Sequence, residues 1–325
     1  MIRKAVLGAV LAITAIPGSV AAAPVSVDMT VPGPQGPLAG TLLAADPADA
    51  PVVLILPGSG PTDRDGNSPM GLHPNSYRLL AEALAAKGVS AARIDKRGMF
   101  ASKDAIPDAN KVTLAAYTED ARKWVRALAD RNGARCVWIA GHSEGGLVAL
   151  AAAQDPLVCG LILIATPGRS LDAVIREQLA ANPANAPLLA DADTALDALA
   201  RGDHADVSGM HPALANGLFN PAVQDFLIDL IAHPPAPMIA AIDKPILIAS
   251  GGSDLQVSVA DADALAAAQP KAARIRIDGM SHTLKHVEGE GRAANMATYT
   301  DPDKPIEPRL VTAIVDFIDT HRGKE

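Results

Sequence analysis

The chain has 325 residues, a formal net charge of −8 at pH 7 and aromatic residues at only 3% of positions. Acidic residues outnumber basic ones, 36 to 28, and no basic cluster is present, which excludes nucleic acid as a natural partner. The two cysteines, Cys136 and Cys159, lack metal-ligand spacing, and the length suits one large α/β domain with room for an insertion.

At the N-terminus, Arg3 and Lys4 precede an apolar stretch from Ala5 to Ile16 and then a small-residue tract, Ser19-Val-Ala-Ala-Ala23. This layout predicts a secretory signal peptide over residues 1–22, cut after Ala21 or Ala22 because Pro24 obstructs a cut immediately before it. The mature chain, residues 23–325, is then expected to be exported, periplasmic or secreted. No later stretch is long and apolar enough to span a bilayer, so no stable membrane anchor is expected after cleavage.

Eight strand-like runs follow: Val25–Thr30, Ala39–Ala44, Val52–Gly58, Ser90–Asp95, Cys136–Gly141, Gly160–Ala165, Pro245–Ser250 and Ala273–Asp278. The Pro/Gly-rich link between the first two suits a hairpin-like loop. From the third onward, strands alternate with helical segments, the pattern of a mostly parallel sheet covered on both faces. Helices are predicted over Ser76–Lys87, ended by Gly88, over Tyr117–Asp130 and over Pro308–His321, whose Leu310, Val311, Ile314, Phe317 and Ile318 share one stripe.

Residues 169–240 break the alternation. Ser170 is placed to cap a helix carrying Leu171, Val174, Ile175 and Leu179, and Asn220-Pro221 to start another bearing Val223, Phe226, Leu227, Leu230 and Ile231. About 70 residues between two strands is long for a simple crossover. The segment reads as a helical cap over the carboxyl edge of the sheet; one long crossover with decorative helices is the alternative.

The chemistry centres on Cys136 to Gly146. A buried strand runs directly into Gly141-His-Ser-Glu-Gly145, and a helix former follows, so the G-x-S-x-G turn stands in the strand–turn–helix setting that lifts a serine hydroxyl clear of the strand end. Ser143 is the candidate nucleophile. A serine needs a base, and the base needs an orienting acid, each following a later strand. Asp254 in Gly251-Gly-Ser-Asp254 and His282 in Gly279-Met-Ser-His282 fill those slots. Asp261 and Asp263 read as the solvated first turn and outer face of the next helix. His286 lies farther from the strand end than His282, His321 reads as solvated, and His142 as structural. Backbone donors for an oxyanion are expected from Glu144, just after the serine, and from Ser59 in Leu56-Pro-Gly-Ser-Gly-Pro61, unless that loop is a plain turn.

No cofactor or metal is expected. Gly58-Ser-Gly60 lacks the third glycine of a dinucleotide fingerprint, with Asp63 in its place. Asp63-Arg-Asp-Gly-Asn67 opens like a calcium loop but has Ser68 and Pro74 where Gly and Glu are required, and no H-E-x-x-H motif occurs.

These motifs, with Leu56-Pro-Gly-Ser-Gly-Pro-Thr-Asp-Arg-Asp-Gly-Asn67, Asp95-Lys-Arg-Gly98 and Gly252-Ser-Asp-Leu-Gln-Val257, resemble the α/β-hydrolase superfamily. More narrowly, they resemble bacterial carboxylesterases and serine aminopeptidase-like hydrolases. The resemblance implies an eight-stranded, mostly parallel sheet flanked by helices, a helical cap, a Ser143–His282–Asp254 triad and small acyl esters as substrates. Met99-Phe100-Ala-Ser102 departs from the smaller residue and glycine of such relatives, which leaves substrate size open. A peptidase is the alternative, with Asp191, Asp193 or Asp197 of the cap offered to a substrate amine; a non-catalytic binding protein of the same fold is another.

Cys136 opens one strand and Cys159 immediately precedes its neighbouring parallel strand, at the sheet edge opposite the serine. The sequence predicts a disulfide there, with two buried thiols as the alternative.

Overall fold

A computed structural model describes residues 24–47 and 49–322, so the signal peptide expected over residues 1–22 lies outside the described residues. The strands are β1 (Val25–Pro32), β2 (Pro37–Ala44), β3 (Val52–Leu56), β4 (Ser90–Ile94), β5 (Val137–His142), β6 (Val158–Ile164), β7 (Ile246–Gly251) and β8 (Ala273–Ile277). They form one sheet of eight in the order β1-β2-β4-β3-β5-β6-β7-β8. β2 pairs antiparallel with β1 and β4, and every other pair is parallel.

The central strands are buried on both faces because each alternates between two cores. Val52, Leu54 and Leu56 of β3 face one core, and Val53 and Ile55 the other. Val137 and Ile139 of β5 likewise oppose Trp138 and Ala140. Helices α1 (Ser76–Ala85), α2 (Leu114–Asn132), α3 (Glu144–Ala152), α4 (Leu171–Ala180), α5 (Leu189–Ala200), α6 (Gln224–Ile231), α7 (Pro235–Ala240), α8 (Val259–Ala268), α9 (Gly291–Ala297) and α10 (Pro308–His321) complete the chain. Leu80 and Leu84 of α1 and the apolar stripe of α10 seal one face; Trp124 and Leu128 of α2, α3 and Leu265 of α8 seal the other.

Differences from the sequence reading have local causes. α2 starts at Leu114 and not Tyr117 because Thr113 caps it, its hydroxyl accepting from Ala116 N at 3.1 Å. Ser170 stands at the N-cap of α4 but makes no capping side-chain bond. α7, inside the expected cap, packs on α3 and α8 and buries Ile239 in the main core, so it belongs to the base. α4, α5 and α6 instead build a separate small core around Leu196, Leu199 and Phe219. His321 is half-buried against Phe317, ring centroids 4.5 Å apart, and is not simply solvated.

Cys136 and Cys159 form a disulfide with Cα atoms 5.1 Å apart. It ties the amino ends of β5 and β6 across 23 residues of sequence, a loop worth about 3 kcal/mol by chain entropy. Among the described residues, no helix is long and apolar enough to cross a membrane.

Candidate active site

β5 delivers Ser143 at the carboxyl edge of the sheet in a conformation with φ 54° and ψ −123°, a strained turn for a residue bearing a side chain. The turn closes only because its glycines have no Cβ. One added at Gly145 would stand 2.3 Å from Leu56 O, and one at Gly141 would stand 2.4 Å from Gly145 O. Ser143 N donates to Ile164 O at 3.0 Å, which holds the turn against β6.

The loops after β7 and β8 bring the other two residues together. His282 Nδ1 lies 2.8 Å from Asp254 Oδ2. The Asp254 side chain has no exposure, and its second oxygen accepts from Gln256 N at 2.7 Å and Val257 N at 3.0 Å. Burial pushes this carboxyl upward, but His282 and the two amides outweigh it and hold the group below the usual carboxylate range. An ionised Asp254 therefore accepts a hydrogen bond from Nδ1–H and leaves Nε2 of His282 as the basic nitrogen. His286 is turned elsewhere: its side chain is half exposed and its Nδ1 meets Glu307 at 3.1 Å.

His142 is buried beneath this pair. Its Nε2 faces the His282 carbonyl at 2.9 Å and therefore carries the proton; Nδ1 then accepts from Tyr77 Oη at 2.8 Å. Burial, reinforced by the nearby His282, pushes its pKa down to about 3, so the ring is neutral. Tyr77 Oη in turn accepts from Gly58 N at 2.9 Å. The loop after β3 thus borders the serine: a Cβ at Gly58 would come within 3.2 Å of Ser143 Cβ.

Lys96 and Arg169 escaped the sequence reading. Lys96 Nζ donates to Gly58 O at 2.7 Å and lies 3.6 Å from Glu144 Oε1. Its place in Asp95-Lys-Arg-Gly98, at the carboxyl end of a buried strand, was the available signal. Asp261 is not solvated as the sequence suggested. It is fully buried and accepts from Gly168 N, Arg169 N and the Arg169 guanidinium, pinning the base of the cap. Asp263 is exposed as expected and pairs with Arg274. Asp225 and Asp229 link α6 to the base through Lys111 Nζ at 3.1 Å and Leu114 N at 2.6 Å.

The comparisons with known proteins bear on the fold. The family model described as serine aminopeptidase, S33, matches residues 69–190. Esterase EstD of Thermotoga maritima is 26% identical over 248 residues, 75% of this chain and 56% of that protein. The chain spans little more than half the length of that curated relative. Among solved structures, a thermophilic esterase from Thermogutta terrifontis matches with a TM-score of 0.54 and 18% identity over 91% of this chain and 98% of the other. Proline iminopeptidase of Mycobacterium smegmatis matches with a TM-score of 0.56 and 17% identity, over 91% and 98%. At such identities the likeness is one of fold. The chain has the α/β-hydrolase fold.

In this α/β-hydrolase fold, Ser143 opens into a cavity of about 710 Å³ between the sheet edge and the cap. The cap supplies Leu171, Val174, Ile175 and Phe226 to its wall, and Met99 and Phe100 line it from the base. Ser59 and Glu144 line it beside the serine. Among the described lining residues Glu144 is the one carboxylate, and Lys96 neutralises it. Asp191, Asp193 and Asp197 do not reach the cavity; Asp193 and Asp197 each bond Arg176 at 2.6 Å on the exposed side of the cap. Among the described residues, no cluster of His, Cys, Asp and Glu is arranged to hold a metal ion.

Proposed function

We propose that this chain is an exported serine hydrolase that cleaves uncharged carboxylic esters through an acyl-enzyme on Ser143. The observation that carries the reading is the Asp254–His282 pair at 2.8 Å, set at the sheet edge from which the Ser143 turn opens into an apolar cavity. Ser143 Oγ attacks the ester carbonyl while His282 Nε2 takes its proton, and Asp254 holds the imidazole and steadies the imidazolium. The Ser59 and Glu144 amides receive the oxyanion. His282 then gives its proton to the departing alcohol. In the second half, His282 draws a proton from water as the water attacks the acyl carbon, then passes it to Ser143 Oγ as the acyl–Oγ bond breaks and the acid leaves.

Esters are favoured over peptide N-termini by the charge balance of the cavity. A substrate ammonium needs a free carboxylate, and the lining offers only Glu144, already paired with Lys96. The name of EstD, an esterase, accords with this preference. Export rests on the composition of residues 1–22 and accords with the Cys136–Cys159 disulfide, a bond that persists in oxidising compartments.

The test is a hydrolysis screen of the purified protein against aryl esters of increasing acyl length, with aminoacyl anilides alongside. Ester turnover, blocked by a fluorophosphonate that labels Ser143, is the expected result. Faster turnover of the anilides would move the reading to a peptidase, and labelling without turnover of either class would leave it without support.

A further inference from the structure

The steps above give Lys96 no part, yet its surroundings are costly to maintain. Its side chain is almost wholly buried, and burial pushes its pKa down against the opposing pull of Glu144. A desolvated ammonium persists only where specific acceptors hold it. Here they are the Gly58 carbonyl at 2.7 Å and the Glu144 carboxylate at 3.6 Å, with the Tyr117 ring below, its centroid 5.6 Å from Nζ.

Those two acceptors belong to the two residues that set the oxyanion donors. The Gly58 carbonyl and the Ser59 N–H are parts of one planar peptide unit and point in opposite directions. Whatever grips the carbonyl therefore aims the Ser59 amide. The preceding peptide is fixed as well, since Gly58 N donates to Tyr77 Oη at 2.9 Å. On the other side, Glu144 contributes its own N–H, and its carboxylate is drawn toward the same ammonium. One cation, carried at the end of β4, thus spans the loop after β3 and the first residue of α3.

We infer that Lys96 is a positioning residue of the oxyanion hole, holding the Ser59 and Glu144 amides in mutual register by bridging Gly58 O and the Glu144 carboxylate. The inference rests on the serine acyl-transfer reading above. It assigns Lys96 no contact with substrate and no proton to move. Its effect belongs to the transition state, because the ester ground state carries no full negative charge on the carbonyl oxygen.

The experiment compares Lys96→Met, Lys96→Arg and Glu144→Gln with the parent chain in three readouts. These are kcat and KM on p-nitrophenyl butyrate, and the inhibition constant of a trifluoromethyl ketone, whose adduct with serine is a tetrahedral oxyanion. A misaimed donor should cost less than a deleted one, so Lys96→Met should lower kcat about 10- to 100-fold. KM should stay within about twofold, and the ketone should weaken by the same factor as kcat falls. Lys96→Arg should recover part of the loss, and Glu144→Gln should show the same pattern more weakly.

A raised KM at unchanged kcat would make Lys96 a substrate-binding residue and overturn the inference. So would a fall in kcat with undiminished ketone affinity, or no change at all. If Lys96→Met does not fold, as judged by circular dichroism, the other two variants decide by the same criteria. A parent chain that neither turns over the ester nor binds the ketone would remove the acyl-transfer reading and this inference with it. An active parent with unaffected variants would remove the inference alone.

Discussion

At the carboxyl edge of the sheet, three buried polar side chains are held by named partners: Asp254 by His282 and two amides, His142 by Tyr77 and the His282 carbonyl, Lys96 by Gly58 and Glu144. In the cap, Arg176 meets Asp193 and Asp197 where those carboxylates are 56% and 65% exposed, and the apolar side chains of the cap are shared between a small core and the cavity wall. A buried polar group without a partner costs kilocalories, so the base tolerates few rearrangements. An exposed ion pair contributes about 0–1 kcal/mol, so the cap's charges constrain little. On the proposed reading, chemistry is sited where geometry is over-determined, and the part that would shape the substrate's fit is built from apolar contacts.

The contrast breaks first, and hardest, at the base. His282→Ala should lower kcat about 10⁴-fold by the measure of dissected triads, with His286→Ala within about twofold of the parent. Steady-state assays on one ester suffice, and the reverse ranking would reassign the base. Next is the buried network. The folded pKa of His142 is pushed down to about 3 from 6.5, so the unfolded chain binds the extra proton first. The stabilisation is complete above pH 6.5 and drains away as pH falls toward 3, with about 2 kcal/mol lost by pH 5. Urea unfolding at pH 7 and pH 5 should show that loss in the parent and much less of it in His142→Gln; equal slopes would show that the ring is not held neutral.

The cap should yield smaller effects of another kind. Each acyl methylene buried in the cavity gains about 0.8 kcal/mol, or roughly fourfold in kcat/KM. Phe226→Ala should reduce that increment across a series from acetate to octanoate while leaving the acetate rate nearly intact; an unchanged slope would place the acyl chain elsewhere. The smallest effect is expected at Arg176→Ala, within about 0.5 kcal/mol of parent stability. A loss of several kilocalories in thermal unfolding would mean that the exposed pairs do hold the cap together.

Much of this was open to the sequence because the determinants are local. Apolar runs bounded by glycine and proline located all eight strands, and the strand–turn–helix setting marked Ser143 without reference to anything distant. The sequence also placed Asp254 and His282 in the loops after two later strands, and cysteines at the starts of two adjacent strands foretold the disulfide. Tertiary structure alone decided which charges are buried. Asp261 has the sequence signature of a solvated first-turn residue, yet three donors around Gly168 and Arg169, more than 90 positions away, enclose it. Lys96, Tyr77 and His142 gain their roles from loops that meet only after the sheet has formed. α7 lies in the same polar interruption as the cap helices, and only its burial of Ile239 against α3 and α8 assigns it to the base. Secondary structure follows from neighbours in the chain, whereas burial, pairing and proton affinity depend on what the fold places across space.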